Sequence, residues 1–293
     1  MPQPTLLKPS QPSWLYMLHL ELHCHTGYSK GKKLPYEAFM TPEELIQTAK
    51  QKGLSAVAIT DHDTCAAWPR AKKEAKKQSI LFIPAAEVSS SDGHIIGLGL
   101  NEPISPSLPA EETLDLIHQQ GALAIASHPF DLKHVGLRHQ AAKADAIEIF
   151  NALSIDRFSN VRSRRFASRR HLSGVVGSDA HIPEALGSAV NHLQADDLDS
   201  ALKAIQSARL THTVSYQSPQ QVVRWAYLRL SQSQPVVESS ISSTYPQPKK
   251  WLAQKLLHQF LRSPEAKKWQ ALARFGISSA AIYSLFKNKC GFV

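Results

Sequence analysis

The chain has 293 residues, of which 43% are hydrophobic and 19% charged, with a formal net charge of +9. This is the composition of an ordinary soluble globular protein, with room for one barrel-sized domain and an appendage. No apolar run reaches the roughly 18 residues that cross a bilayer, the N-terminus lacks a signal-peptide pattern, and the three cysteines form no paired framework, so we expect a cytoplasmic protein.

The positive charge is concentrated at the C-terminal end. Residues 249–293 contain nine Lys or Arg and a single acidic residue, Glu265. Residues 1–248 contain 24 basic and 23 acidic residues. The basic charge therefore belongs to the tail and not to the body of the chain.

Strand and helix patterns alternate through the body. Helical patterns fall near residues 42–52, 66–78, 110–120, 158–171 and 197–207, between β-like apolar runs. Thr41 before Pro42, with Glu44 three residues after Thr41, predicts a capping-box start for the first helix. Strands that alternate with helices of this length predict a parallel sheet that is closed or nearly closed.

The pattern changes after residue 217. Residues 231–248 are rich in Ser and Pro and predict a linker or loose loop. Beyond them a basic amphipathic helix is predicted. Its apolar face consists of Trp251, Leu252, Leu256, Leu257, Phe260 and Leu261. This face is expected either to dock on the barrel or to lie on an anionic surface, a nucleic acid or a membrane.

Metal-ligand residue types stand at the ends of the predicted strands. His23 and His25 are two residues apart, so a strand directs both side chains to one face. His62 follows the next strand, with Asp61 beside it as a candidate to orient a ligand imidazole. Parallel strands carry their chemistry at the C-terminal rim, which makes this layout typical of a functional site.

Further ligand types follow along the chain. Glu87 lies in an apolar run, where an unpaired carboxylate is expensive to bury and a metal would provide a partner. The remaining nitrogen and oxygen ligands are His94, His128, Asp179 and His181. Such a set suits Mn²⁺, Zn²⁺ or Fe²⁺.

The order of these motifs resembles the PHP (polymerase and histidinol phosphatase) family of metal-dependent phosphoesterases. The matching elements run His-x-His-Thr, Thr-Asp-His, Glu, His, Ser-His-Pro and Gly-Ser-Asp-x-His, over residues 18–218. The segments ITDHDT, EVSSSDGHIIGLG and IEIFN are most similar to the stand-alone members that act on 3′,5′-nucleoside bisphosphates or on the 5′ ends of oligonucleotides.

The resemblance implies a fold and a set of ligands. The fold is an α/β, distorted seven-stranded β/α (TIM-like) barrel with a C-terminal helical extension and two or three divalent metal ions. The implied metal ligands are His23, His25, His62, Glu87, His94, His128, Asp179 and His181, with Glu87 bridging. Glu87 and Asp61 are the expected catalytic acids. The domains are then residues 1–17, a tail; 18–218, the catalytic barrel; 219–248, a helix and linker; and 249–293, the basic tail.

One position departs from the family pattern. Relatives continue His-x-His-Thr-x-x-Ser with an Asp that contributes to a third metal site, and this chain has Lys30 there, followed by an insertion. The third site is therefore in doubt, with Glu37 the nearest acid. The expected phosphate-binding residues are Lys30, Asn151, Arg157 and Arg162.

The expected reaction is hydrolysis of nucleotide phosphoester bonds by a metal-activated water. Its substrates would be a 3′,5′-nucleoside bisphosphate or short single-stranded RNA or DNA degraded from the 5′ end. Two alternatives stay open. One is a small-metabolite phosphatase, such as one for histidinol phosphate. The other is a partly degenerate metal-binding module that holds nucleic acid or a protein partner.

Overall fold

The computed structural model describes residues 17–31 and 34–289. It is an α/β protein built on a mixed nine-stranded sheet in the order β7-β6-β5-β4-β3-β2-β1-β8-β9. The strands are β1 Met17–Cys24, β2 Ala56–Ile59, β3 Leu81–Ser89, β4 His94–Leu98, β5 Leu123–Ala126, β6 Ala146–Asn151, β7 Ser173–Gly177, β8 Ala189–Gln194 and β9 Thr211–Val214.

The sheet curls until its β7 end meets β1, which makes a nearly closed barrel. A bridge joins Cys24 at the end of β1 to Ala180 beyond β7, and the His25 amide donates to the Ala180 carbonyl at 2.9 Å. The β1–β2–β3 and β5–β6–β7 pairings are parallel, whereas β4, β8 and β9 pair antiparallel. The predicted barrel is confirmed, but the strand count of seven was too low. The short strand β9 is polar and mostly exposed and so lacks an apolar signal.

Helices cover the barrel and extend beyond it. They are α1 Pro42–Gln51, α2 Trp68–Gln78, α3 Ala110–Gln119, α4 Phe158–Arg170, α5 Leu198–Gln206, α6 Pro219–Gln232, α7 Gln234–Thr244, α8 Lys249–Arg262 and α9 Lys267–Lys289. The capping box of α1 is present as predicted: Thr41 Oγ1 accepts from the Glu44 amide and the Glu44 carboxylate accepts from the Thr41 amide.

Successive residues of each strand pack in two different apolar layers, one on each face of the sheet. In β2, Ala56 and Ala58 pack in one cluster with Leu20 of β1, whereas Val57 and Ile59 pack in the cluster that includes α1 and α2. Successive strand side chains point to opposite faces, so both faces of the barrel wall are buried. This double burial fixes the strand register and with it the position of every residue at the rim.

The C-terminal extension is more helical than the Ser/Pro-rich composition predicted. Helix α7 lies inside residues 231–248, where a loose linker was expected. On α8, Leu257 and Phe260 are buried, while Trp251, Leu252 and Leu256 are exposed. Only part of the predicted apolar face is therefore covered, and the four-part domain division stays a prediction. Within the described residues, no helix has both the length and the apolar character needed to span a bilayer.

Candidate metal centre

The eight predicted ligands come from six stretches of the barrel and meet at one rim. Among the described residues, four overlapping groups each bring three ligand atoms within 4.8 Å of one another. The groups are His23–His25–Glu87, His23–His128–Asp179, His25–Asp179–His181 and His62–Glu87–His94. The expected convergence of the side chains is found, while their role as metal ligands remains a proposal.

Glu87 lies at the middle of the cluster, with each carboxylate oxygen directed at different histidines. Oε2 lies 3.2 Å from His23 Nε2 and 3.5 Å from His62 Nε2. Oε1 accepts from Ser127 Oγ at 2.8 Å and lies 3.0 Å from His128 Nε2 and 3.1 Å from His94 Nδ1. The side chain is 1% exposed. A buried carboxylate that serves two sets of ligands has the geometry of a bridge between two cations.

Asp179 is the second acid of the cluster. Its Oδ1 lies 3.6 Å from His23 Nε2, 3.3 Å from His25 Nε2 and 3.5 Å from His181 Nδ1. The backbone of Asp179 is left-handed, with φ of 49°, and so is that of His128, with φ of 28°. Non-glycine residues hold this conformation only where their surroundings enforce it, as is common at functional sites.

Both acids are held ionised by their neighbours. Burial alone would raise the pKa of Glu87, but His62, His23 and His94 hold it well below the usual value for a glutamate. Burial opposes ionisation of Asp179 in the same way, and the neighbouring imidazoles, His23 first, hold its pKa well below the usual value for an aspartate. Two buried carboxylates in one cluster require positive charge beside them.

The residues fit a divalent cation. His181 Nε2 and Glu37 Oε2 are buried and have no hydrogen-bond partner among the described residues, so a bound cation would satisfy both. Glu87 Oε2 lies 3.2 Å from His23 Nε2 and 3.5 Å from His25 Nε2. In a tetrahedral site with metal bonds of 2.0–2.1 Å, ligand atoms stand about 3.3 Å apart. The spacing therefore already matches that of a metal site.

Asp61 lies outside the ligand cluster and accepts hydrogen bonds from Thr26. Its Oδ1 accepts from the Thr26 amide at 2.6 Å and its Oδ2 from Thr26 Oγ1 at 2.5 Å. Burial raises the pKa of Asp61 to about 6 even though the Thr26 donors lower it. Among the described residues it belongs to no three-ligand group. Asp61 ties the residue after His25 to the segment that carries His62, and its catalytic role stays a prediction.

This contact predicts different results for two substitutions of Asp61. Asp61→Asn keeps an acceptor for the Thr26 amide, so kcat should stay within about tenfold, because no reacting group is lost. Asp61→Ala leaves buried donors unsatisfied and should lower the free energy of unfolding by about 1–3 kcal/mol. Denaturant unfolding and steady-state kinetics check both. A 1,000-fold loss of kcat in a folded Asp61→Asn enzyme would instead support a catalytic role for Asp61.

Two buried acids that the sequence analysis missed hold the ligands in place. Glu148 accepts from His23 Nδ1 at 2.9 Å and from the His128 amide at 2.7 Å. Glu21 accepts from the amides of Ser178 at 3.1 Å and Gly187 at 3.0 Å. Hydrogen bonds of this kind fix the orientation of a ligand imidazole and of the backbone behind it. Both acids lie in apolar strands, which is the signal that identified Glu87.

The predicted phosphate-binding residues have different surroundings. Asn151 is buried and its amide donates to Glu148 and Asp179, at 3.1 Å each. Its role as a substrate contact stays a prediction. Arg157 is exposed, and its guanidinium lies 4.6 Å from the Tyr216 ring centroid. Lys30 is also exposed. The neighbouring residues 32 and 33 lie outside the described part of the chain.

Arg162 is better placed to bind an anion. Its guanidinium lies 4.9 Å from the ring centroid of Phe130, two residues after the cluster residue His128. Burial and then the charge of Arg138 lower the pKa of Arg162. Arg138 was not predicted, because the short 3₁₀ helix that begins at Arg138 has no regular sequence pattern. Guanidinium groups bind phosphate oxygens in pairs, so Arg162 and Arg138 are candidates to contact a substrate phosphate.

Helix α6 forms one wall of the metal centre, which the sequence did not indicate. The Trp225 ring lies 4.7 Å from the imidazole of His181, centroid to centroid. Its indole Nε1 donates to the backbone oxygen of Glu37 at 2.7 Å, and the Arg229 guanidinium lies 4.8 Å from the Trp225 ring centroid on α6. The C-terminal extension therefore contributes directly to the site.

Comparison with known proteins agrees with this geometry. A family model described as PHP-associated matches residues 157–210. An uncharacterized protein of Methanocaldococcus jannaschii is 39% identical over 146 residues, which are 48% of this chain and 85% of that protein. The 3′,5′-nucleoside bisphosphate phosphatase of Chromobacterium violaceum is 34% identical over 116 residues, 36% of this chain and 38% of the phosphatase.

The chain belongs to the PHP family of metal-dependent phosphoesterases. The PHP fold is also found by structural similarity. A two-domain protein of Bacteroides vulgatus, described as containing a PHP-like metal-dependent phosphoesterase, superposes with a TM-score of 0.57 at 15% identity. The superposition covers 73% of this chain and 70% of that one. At this identity the likeness concerns the PHP fold alone.

Proposed function

We propose that the protein hydrolyses phosphoester bonds of nucleotides, with a 3′,5′-nucleoside bisphosphate or the 5′ end of a short single-stranded RNA or DNA as substrate. The observation that carries the proposal is the buried carboxylate of Glu87 between two sets of histidines. Similarity to the bisphosphate phosphatase supports the substrate class, although the chain spans only 38% of that relative.

The proposed metal ligands are the eight residues of the cluster. When bound, two divalent cations would activate a water and neutralise charge on the transferring phosphoryl group. Manganese, zinc and iron(II) all suit imidazole and carboxylate ligands. The protein groups hold this arrangement rigidly: Glu148 and Ser127 hydrogen-bond ligands of the cluster, and Asp61 fixes the turn after His25.

The substrate phosphate is expected at the guanidinium groups of Arg162 and Arg138. The Arg138 amide donates to the Pro129 carbonyl at 2.9 Å, and the Arg162 guanidinium lies 4.9 Å from the Phe130 ring centroid. Both residues therefore contact the segment that follows His128. Planar guanidinium groups bind phosphate oxygens in pairs and lose none of their charge at neutral pH. Exposed Lys30 would add longer-range attraction for an anionic substrate. The tail after residue 249, with its exposed Trp251, is proposed to contact an anionic surface.

A substrate screen tests the proposal. The metal-free protein would be reloaded with Mn²⁺ and offered nucleoside monophosphates, 3′,5′-bisphosphates, 5′-phosphorylated oligonucleotides and sugar phosphates. We expect inorganic phosphate from a bisphosphate, or mononucleotides from the 5′ end of an oligonucleotide, and no product after chelation. Hydrolysis confined to non-nucleotide phosphates would replace the proposal with a metabolite phosphatase. Substoichiometric metal with no hydrolysis would indicate a binding module.

A further inference from the structure

Glu37 is an acid of the inserted segment whose carboxylate faces the metal centre. Its Oε2 lies 3.9 Å from His62 Nε2 and its Oε1 lies 3.9 Å from His181 Nε2. The side chain is 16% exposed. The two oxygens thus face different ligand groups, because His181 belongs with His25 and Asp179 whereas His62 belongs with Glu87 and His94.

Within the described part of the chain, one polar atom of Glu37 and one of His181 lack hydrogen-bond partners. Glu37 Oε2 and His181 Nε2 are both buried, and neither has a hydrogen-bond partner among residues 17–31 and 34–289. Two ligand atoms of one ion are at most two bond lengths apart, about 4.2 Å. The two distances of 3.9 Å meet this limit, although Glu37 is outside the groups whose three ligand atoms lie within 4.8 Å.

Helix α6 holds Glu37 in this place. Trp225 Nε1 donates to the Glu37 carbonyl at 2.7 Å, across 188 positions of the chain. A Cβ placed on Gly31 would lie 3.6 Å from Arg229 Nη2 and 3.5 Å from Glu37 Oε2, so these two atoms are on the same side of Gly31. Burial opposes ionisation of Glu37, but His181, His62, His25 and then Arg229 lower its pKa. The Glu37 carboxylate is therefore charged and lies 3.9 Å from His62 and from His181. Its backbone is held by Trp225 of α6.

We propose that Glu37 is a second bridging carboxylate, which joins a metal position at His62 to one at His181, with α6 as its support through Trp225. This inference rests on the proposed metal-dependent function. It assigns to the inserted segment the negative charge that Lys30 does not supply, and it makes the C-terminal extension a part of the metal centre.

Manganese binding to metal-free protein tests the inference without any substrate. Free Mn²⁺ would be measured by electron paramagnetic resonance for the wild type, Glu37→Gln and Trp225→Phe. The matched control is Glu44→Gln, the same change seven residues away on an exposed capping residue, where Gln also completes a capping box. We expect Glu37→Gln to lose one Mn²⁺ or to weaken its binding by more than about 100-fold, which exceeds the usual effect of losing a supporting residue. Trp225→Phe, which retains the carboxylate, should weaken it less, by about tenfold, and Glu44→Gln should match the wild type.

Unchanged Mn²⁺ affinity in folded Glu37→Gln would overturn the inference. If Glu37→Gln does not fold, Trp225→Phe decides, and wild-type affinity there would also overturn it. The outcome is separable from that of the proposed function. Weakened Mn²⁺ binding in a protein that hydrolyses no nucleotide would support Glu37 and contradict the function. Full nucleotide hydrolysis with unchanged Mn²⁺ affinity in Glu37→Gln would contradict Glu37 alone.

Discussion

Glu87→Gln is expected to remove nearly all turnover and to lower the metal content of the purified protein. A neutral amide cannot offer an anionic oxygen to each of two cations, and the five imidazoles around Glu87 would lose their shared negative partner. Loss of a single group that stabilises charge costs about 10²–10³ in kcat, and we expect about 10³-fold or more here, since metal is lost as well. Elemental analysis and steady-state kinetics on the best nucleotide substrate measure both effects.

The control for Glu87→Gln is Asp63→Asn. Asp63 Oδ1 accepts from the Ser89 amide at 2.6 Å, and an asparagine retains that acceptor. Asp63→Asn should therefore keep its metal and most of its kcat. Equal losses in the two variants would show that the acids of this rim have been assigned the wrong roles.

Gly177→Ala is expected to have the second largest effect. Gly177 ends β7, and a methyl group there would collide with the Glu148 carboxylate and with the Cβ of His23. Overpacking of this kind costs about 1–3 kcal/mol of unfolding free energy. The displaced His23 imidazole should also lower kcat by about 100-fold, because small misplacements of reacting groups have costs of that order. Thermal unfolding and kinetics would separate the two effects.

Gly276→Ala provides the matched control. Gly276 lies in α9, and apart from its own helix backbone a Cβ there meets no atom of the described residues within 4 Å. An alanine in that helix should be neutral or stabilise the protein by up to about 1 kcal/mol, with unchanged kcat. If Gly177→Ala behaved like Gly276→Ala, the close packing of Gly177 between Glu148 and His23 would have no role in the site.

The barrel and the convergence of the eight side chains at one rim were predictable because their signals are local. A strand that is buried on both faces reads as an apolar run, and a His or Asp at its end interrupts that run, as at His62 and His128. The same argument located Glu87 inside β3. Applied evenly, it would also have located Glu148 in β6 and Glu21 in β1, because each is a carboxylate in an apolar strand.

Other parts of the site were not predictable because they depend on contacts between distant segments. Glu37 was identified as the nearest acid, but its placement could not be predicted, because it lies in an insertion without periodicity and its support, Trp225, is 188 residues away. Trp225 itself reads as one more aromatic residue of a helix. The amphipathic face of α8 was predictable, but which of its residues would be covered was not, since that depends on where α8 packs.

Contact between α6 and the metal centre has a consequence for the stability of the extension. Linkage is reciprocal: if an ordered α6 strengthens metal binding through Trp225 and Glu37, bound metal must strengthen the docking of α6 by the same free energy. Loss of metal would then loosen α6, and a protease should cleave the metal-free protein in this region faster than the metal-loaded protein.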